Sequence, residues 1–155
     1  MKNLLFRCCF DGRNYHGYQV QKNAYTITEA LQDGIEKVTG CREGIIGCSR
    51  TDAGVHALEY YFNMHTQSEI PPDRFVRALN RVLPEDIVVL DCRVVPDQFH
   101  ARYSAVGKQY LYQLYEGELR NPFYKGLAFH YRRSVDLELL NCAAAHFLGT
   151  HDFAG

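Results

Sequence analysis

The stretch from Gly47 to Ala57, which reads G-C-S-R-T-D-A-G-V-H-A, joins two segments that have the character of β-strands. Two isoleucines precede it, and a run of alternating residues follows it as far as Met64. Connections between strands lie at the surface, where reactive side chains are commonly placed. We therefore expect Asp52, at the centre of the stretch, to stand on an exposed loop between two strands.

The residues of this loop alone leave two interpretations of Asp52 open. Gly47 and Gly54 flank the loop and would let a ligand approach the backbone closely. Arg50, two residues before Asp52, would favour an ionised carboxylate, which suits a nucleophile or a general base. Alternatively, Asp52 only shapes a β-turn, because Asp and Gly are common turn residues.

Outward from this loop, the periodicity predicts the element order β-α-β-β-α-β. The predicted strands and helices cover, in chain order, about 4–10, 26–40, 43–48, 56–66, 72–83 and 86–95. This order is that of the ferredoxin-like plan, an α+β fold with an antiparallel sheet and both helices packed on one face. RNA-recognition domains share the plan, but the order of elements alone gives no function.

The first helix begins with a capping-box pattern, Thr26-Ile27-Thr28-Glu29, and Gly40 is a plausible stop. Its apolar residues recur at helical spacing, as a buried stripe requires; they are Ile27, Leu31, Ile35 and Val38. In the strand predicted over about 56–66, strict alternation places five residues on one face: His56, Leu58, Tyr60, Phe62 and Met64.

The second helix is predicted to start at Pro72, a favoured first-turn residue. Its apolar stripe consists of Phe75, Val76, Leu79, Val82 and Leu83. Arg74, Arg77 and Arg81 fall on the opposite side and form one basic ridge. This ridge is either an ordinary solvated face or a track for phosphates, since arginine forks suit phosphate oxygens.

One long loop near the start of the chain and several elements after residue 95 complete the predicted order. The aromatic and polar loop from about residue 11 to 25 is either a solvent-exposed connector or a functional loop. Beyond it, 96–104 is predicted to cross to a strand over about 108–115 that contains Tyr110. A further strand and a last helix are predicted over about 127–132 and 136–148, the helix burying Leu137, Leu140, Ala144 and Phe147.

Composition limits the class of protein. The 155 residues carry a formal net charge of −1, and 46% of them are hydrophobic, which is enough for a real core. No apolar run approaches the length of a membrane span, and the first residues turn charged too early for a secretory signal. The six cysteines lack C-x-x-C and zinc-finger spacing. They predict reduced thiols in a cytoplasmic protein, most of them small core residues.

Several blocks resemble the TruA family of tRNA pseudouridine synthases. The loop R-T-D-A-G-V-H-A, beginning at Arg50, is similar to the family's signature around a catalytic aspartate. Blocks in the same order span nearly all of the chain. They are 10–21 (F-D-G-x-x-Y-x-G-Y-Q-x-Q), 78–87 (A-L-N-x-x-L-P-x-D-I), 99–105 (F-H-A-R-Y-S-A), 108–112 (K-Q-Y-L-Y) and the closing segment resembling F-x-G-x-H-D-F, 147–153.

The resemblance implies the pseudouridine synthase fold and the conversion of uridine to pseudouridine in the anticodon stem-loop of tRNA. It implies that Asp52 is the catalytic carboxylate and that Tyr110 stacks on the target base, whereas strand tyrosines otherwise usually serve packing. Arg50 would hold the site open or contact a phosphate. We also expect possible RNA contacts from the ridge arginines and from Arg102.

The resemblance also implies partners and an architecture. It implies tRNA as substrate, a homodimer, and neither a metal nor a nucleotide or redox cofactor. Residues 1–105 would form the ferredoxin-like domain with the aspartate loop, and 106–155 would begin a truncated second half. Family members continue past such a segment, so we expect either a fragment or a shortened gene product. The alternative functions are a non-catalytic RNA-binding module and a protein–protein adaptor.

Overall fold

The computed structural model describes residues 1–152. Phe153, the last residue of the segment resembling F-x-G-x-H-D-F, lies outside them. The chain divides into two compact units, Met1–Lys108 and Gln109–Gly155. The assignment of the second unit to the start of a further synthase half stays a prediction.

The first unit is a mixed α/β structure around one antiparallel sheet. Its elements are β1 (Lys2–Phe10), α1 (Ile27–Thr39), β2 (Ile45–Gly47), β3 (Ala57–Thr66), α2 (Pro72–Val82) and β4 (Ile87–Val95). The four strands follow the order β2-β3-β1-β4, and every neighbouring pair is antiparallel. The predicted element order is confirmed.

One apolar cluster holds the sheet and both helices together. Alternate residues of β1 and β3 enter it from the sheet, and the stripes of α1 and α2 enter it from the helices. At its centre the ring centroid of Phe6 lies 4.8 Å from that of Phe62 and 5.5 Å from that of Phe75 on α2. Because α1 and α2 feed the same cluster, the opposite face of the sheet is left to other segments.

The predicted ends of α1 are confirmed. Thr26 and Glu29 form the reciprocal capping box, and Gly40 closes the helix with φ of 77°. That left-handed conformation suits glycine, which has no Cβ to clash. Ile27, Leu31 and Ile35 are buried, as the periodicity predicts.

Two β-bulges change the predicted faces of the strands. Cys8 pairs with Tyr60, but Phe10 pairs with Ala57, so β3 holds one extra residue there. This extra residue shifts the alternation, and Leu58, which we predicted to share a face with buried Tyr60, is 77% exposed. A second bulge, between β1 and β4, lies at Arg7 and Cys8 of β1.

The edge strand β4 is tied to α2 by an asparagine. The side chain of Asn80 donates to the carbonyl of Val89 over 2.7 Å and accepts from its amide over 2.8 Å. Edge strands expose backbone groups that must be satisfied or shielded. Asn80 therefore closes part of this edge and fixes β4 against α2.

Residues 96–101, which have no regular secondary structure, cover the second face of the sheet. Asn3 of β1 and Asn63 of β3 are fully buried there, and Leu5 is nearly so. The side chain of Asn3 donates hydrogen bonds to the backbone of the segment, and the side chain of Asn63 accepts one from it. The segment therefore acts as a third layer over part of the sheet.

The second unit contains short elements and an open surface. They are β5 (Leu114–Glu116), β6 (Phe129–Tyr131), paired in parallel with β5, and α3 (Leu137–Ala145). The strand predicted over 108–115 and the helix predicted over 136–148 are thus too long. A strand extends only where a partner takes its backbone hydrogen bonds, and β6 pairs with three residues of β5.

The predicted buried stripe of the last helix is wrong. Leu137, Leu140 and Phe147 are 69%, 51% and 70% exposed, and Ala144 is exposed as well. Helical periodicity identifies an apolar face but does not show that another element covers it.

Cysteine burial also departs from expectation. All six cysteines have free thiols, but only Cys8 and Cys92 are buried, while Cys41 and Cys142 are exposed. Burial raises the pKa of the Cys92 thiol to about 12. No helix within residues 1–152 is long and apolar enough to cross a membrane.

Candidate active site

The Asp52 loop is a surface turn between β2 and β3. Asp52 is exposed, and its carbonyl accepts a hydrogen bond from the amide of Val55 over 3.3 Å. The turn that we weighed against a catalytic role therefore exists, but the backbone of Asp52 forms it. Within residues 1–152 the carboxylate of Asp52 makes no hydrogen bond or ion pair, so neither interpretation excludes the other.

Arg50 does not act on Asp52 by direct contact. Both residues are exposed, and within residues 1–152 they form no ion pair. We expected the nearby cation to favour the ionised carboxylate.

The segment after β1 holds the Asp52 loop by backbone hydrogen bonds. The amide of Tyr18 donates to the carbonyl of Thr51 over 3.1 Å, and the amide of Gly54 donates to the carbonyl of Tyr15 over 3.2 Å. Both tyrosines are buried. The loop predicted as either a connector or a functional loop is, at residues 15–18, a support for the aspartate loop.

Gly12, in the same segment after β1, lets that segment come into contact with the Asp52 loop. A Cβ at this position would lie 2.0 Å from the carbonyl oxygen of Val55 and 3.1 Å from the carbonyl carbon of Gly54. These are backbone atoms, which cannot swing away as a side chain can. Any residue with a side chain at position 12 would therefore push the two segments apart.

Asp86, the residue before β4, holds the segment after β1 in place by hydrogen bonds. Its carboxylate accepts hydrogen bonds from the hydroxyl of Tyr15 and, over 3.0 Å, from the side chain of Asn14. Its carbonyl accepts from the amide of Asp11 over 2.9 Å. Burial, and then the bond to Asp86, raise the pKa of the Tyr15 hydroxyl, which stays a neutral donor.

Tyr60 supports the other end of the loop. Its hydroxyl donates to the carbonyl of Ser49 and accepts from the amide of Ser49 over 3.3 Å. The ring of Tyr18 packs 4.6 Å from the ring of Tyr60. Burial raises the pKa of the Tyr60 hydroxyl, so it remains protonated and can donate.

The partly buried carboxylate of Asp11 joins the segment after β1 to the residue before β3. Asp11 accepts from Arg13 over 2.9 Å and lies 3.1 Å from Nδ1 of His56. The hydrogen bond from the Arg13 guanidinium is the main reason that the pKa of the Asp11 carboxyl is lowered. The contact between Asp11 and His56 links the segment after β1 to the residue before β3.

Beside the loop lies an open cleft of about 620 Å³ with a cationic lining. Its lining includes Ser49 and Arg50 from the aspartate loop, Arg102 directly after the covering segment, and Lys108. The cleft thus brings together Arg50 and Arg102, which the sequence singled out separately. Asp52 follows Arg50 by two residues but is not part of the lining.

The other predicted residues lie elsewhere. Arg74, Arg77 and Arg81 are all exposed on α2 and, within residues 1–152, form no ion pair. Tyr110 belongs to the second unit, precedes β5, and is 73% exposed. Its role therefore rests on the resemblance alone.

The sequence analysis did not identify the residues that hold the Asp52 loop, or those that hold the covering segment, residues 96–101. Tyr60 looked like ordinary packing, and only pairing of β2 with β3 places its hydroxyl at Ser49. Asn63 gave a clearer signal, since an amide inside the apolar run Y-Y-F-N-M is unusual for a buried strand. Lys108 stood in a quoted block but was not named for the site.

The residues 1–152 contain no group of three or more His, Cys, Asp or Glu side chains placed to hold a metal ion.

With this geometry in place, comparison with known proteins identifies the family. A family model described as tRNA pseudouridine synthase matches residues 9–104, which contain the aspartate loop, its support and Arg102. The chain belongs to the tRNA pseudouridine synthase family.

Individual relatives agree with this assignment. The chain is 45% identical over 154 residues to the tRNA pseudouridine synthase A of Thermoanaerobacter sp., covering 99% of the chain and 63% of the relative. It is 40% identical over 153 residues to the synthase A of Aquifex aeolicus, with coverages of 99% and 64%. It is 41% identical over 152 residues to the synthase A of Staphylococcus carnosus, which covers 98% of the chain and 57% of the relative.

This chain spans a little under two thirds of the length of these relatives. The family model covers the part of the fold that carries the aspartate loop.

Proposed function

We propose that this chain supplies the catalytic aspartate of an enzyme that isomerises uridine to pseudouridine in the anticodon stem-loop of tRNA. The N1–C1′ glycosidic bond breaks, the uracil turns, and a C5–C1′ bond forms. The proton on C5 is lost and N1 gains one, so the reaction is balanced without a redox or phosphate donor.

The observation that carries this proposal is the state of Asp52. Its carboxylate is exposed and unpartnered within residues 1–152, while backbone hydrogen bonds with Tyr18 and Tyr15 fix the loop on which it stands. A carboxylate that accepts no hydrogen bond from the protein keeps both oxygens available to a substrate. Held on a fixed loop, such a group is suited to act as a nucleophile or base.

The cationic cleft supports binding of RNA next to that carboxylate. Arg50, Arg102 and Lys108 line one concavity of the first unit, and guanidinium and ammonium groups are the usual partners of phosphate oxygens. A phosphate of the RNA held there would place the neighbouring nucleotide near the Asp52 loop. A base in a stem must leave its stack to react, and Tyr110 is proposed to stack on the flipped uracil.

We also infer that the first unit follows the ferredoxin-like plan. The strand order β2-β3-β1-β4 and the entry of both helices into one apolar cluster support this assignment. RNA-recognition domains use the open sheet face of this plan. Here residues 96–101 cover part of that face, so the proposed RNA surface is the loop end of the sheet.

A second candidate function is RNA binding without turnover. The exposed ridge of Arg74, Arg77 and Arg81 and the cationic cleft favour it, because neither feature requires the carboxylate. A homodimer and a cytoplasmic location stay predictions based on the resemblance.

The test of the proposed function is the fate of uridine in an unmodified tRNA transcript incubated with the full product of the source gene. We expect pseudouridine at uridines of the anticodon stem-loop, detected by chemical mapping. The same transcript with those uridines replaced by cytidines is the control. Absence of pseudouridine despite tRNA binding would favour the RNA-binding module, and modification confined to other regions would contradict the proposed target.

A further inference from the structure

Two buried asparagines on the second face of the sheet form an interaction that has no part in the proposed reaction. Asn3 of β1 and Asn63 of β3 are both fully buried. The Nδ2 group of Asn63 donates to Oδ1 of Asn3 over 2.9 Å. Buried amides are uncommon and are kept where all of their hydrogen-bonding groups have partners.

The pair uses its remaining groups on the segment that crosses above it. Nδ2 of Asn3 donates to the carbonyls of Phe99 over 2.9 Å and Pro96 over 3.1 Å. Oδ1 of Asn63 accepts from the amide of Ala101 over 2.8 Å. The pair therefore binds the segment at both ends as a strand partner would.

Arg102 is the residue directly after this fixed point. The amide of Ala101 is held by Asn63, and Ala101 itself is 3% exposed, whereas Arg102 is exposed and lines the cleft with Arg50. Because adjacent Cα atoms are linked rigidly across a peptide bond, the position of Ala101 sets where the Arg102 side chain begins.

We propose that Asn3 and Asn63 are positioning residues that place Arg102 beside Arg50 in the cationic cleft. The inference rests on the proposed function, in that the ligand of the cleft is taken to be a phosphate of the RNA substrate. The asparagines never touch that phosphate. They act through the backbone of residues 96–101, which has no strand of its own to hold it.

The first measurement is amide hydrogen exchange in this chain with Asn63→Leu. We expect exchange at Ala101 to accelerate at least about tenfold, because its acceptor is gone, while exchange in α1 stays as in the parent. The double variant Asn3→Leu with Asn63→Leu guards against simple misfolding, since removing both partners of a buried pair is tolerated better than removing one. Unchanged protection of Ala101 in both variants would overturn the proposal.

The second measurement is the affinity for an anticodon stem-loop transcript as a function of salt. Loss of one phosphate contact reduces the slope of log K against log salt by roughly 0.7 to 0.9. We expect that reduction for Arg102→Ala, a similar one for Asn63→Leu, and no further reduction when the two are combined. Leu79→Val, which perturbs the core on the helix side, is the control and should leave the slope unchanged.

Two results would overturn the proposal: an Arg102→Ala variant with the parent slope, or slope changes that add in the combined variant. These results are distinguishable from failure of the proposed function, which is absence of pseudouridine in the transcript. The salt slope reports the cleft whether or not turnover occurs. A chain that does not bind the transcript overturns the present proposal, while pseudouridine formation by the full gene product remains the separate test of the proposed function.

Discussion

At the scale of single residues, the carboxylates of the site divide by their partners. Asp86 and Asp11 are tied to Tyr15 and Arg13, whereas Asp52 has no partner within residues 1–152. The first two hold the chain in place, and Asp52 remains available to a substrate. The sequence placed Asp52 on a loop but offered no way to tell these roles apart, because the partners come from distant positions.

The first prediction concerns the pH dependence of Asp11. Its pKa is lowered in the folded chain, mainly by Arg13, so its stabilising effect is present above the ordinary value of about 3.9. That effect is lost as the pH falls through the lowered pKa. Asp11→Asn should therefore lower the free energy of unfolding at neutral pH, and only slightly, because solvent screens its contact with the exposed Arg13.

Denaturant titrations of Asp11→Asn and the parent, made at neutral pH and again below the lowered pKa, check this prediction. The difference between the two proteins should disappear in acid. Asp91→Asn, at an exposed position of β4, serves as the control. A deficit of the same size at both pH values would refute the electrostatic explanation.

At the scale of elements, the helices were predictable and the contacts between loops were not. The capping box and the stripe of α1 follow from residues three and four apart in sequence. The bulge that exposes Leu58 depends on pairing between β1 and β3, which are about fifty residues apart in the chain. Likewise, no local pattern shows that Gly12 touches Val55.

The second prediction is that Gly12→Ala disrupts the site. The added methyl group would meet the carbonyl oxygen of Val55 at 2.0 Å, so the support and the aspartate loop must separate. We expect a loss of about 1–3 kcal/mol in stability and faster amide exchange at Gly54, whose partner is Tyr15. Gly44→Ala is a matched control because nothing lies within 4 Å of its added Cβ. Equal effects of the two substitutions would contradict the close contact.

The third prediction concerns the ridge on α2. If Arg74, Arg77 and Arg81 follow phosphates, replacing all three with Gln should weaken tRNA binding and flatten its dependence on salt by about 2 in the log–log slope. Because the three side chains are exposed, the fold should persist by circular dichroism. A salt slope equal to that of the parent would assign them to an ordinary solvated face.

At the scale of the whole molecule, the two units differ in how well they bury their apolar residues. The first unit has a closed cluster of fully buried side chains, including Phe6, Phe62 and Phe75. The large apolar residues of the second unit are mostly exposed, Tyr112 and Phe123 by 94% and 85%. The sequence predicted the core of the first unit well, but the second unit has helix and strand patterns whose apolar faces remain open.

The fourth prediction is that this chain folds but gives little or no turnover. Amides of β1 and β3 should be strongly protected from exchange, and those after Gln109 much less so. The exposed apolar surface predicts self-association, measurable by sedimentation. Catalysis needs the flipped base to be held with little misplacement, and Asp52 stands exposed on the first unit. Robust turnover of unmodified tRNA by residues 1–155 alone would contradict this expectation.

The central claim, that the unpaired carboxylate of Asp52 performs the chemistry, is tested most directly by Asp52→Asn in the full product of the source gene. The change keeps the shape of the side chain and removes its charge and basicity. We predict that pseudouridine formation, mapped chemically after a single turnover, is abolished while affinity for the tRNA changes less than about threefold. Asp73→Asn, on an exposed turn of α2, should keep both activities. Measurable pseudouridine formation by the Asp52→Asn protein would contradict the claim.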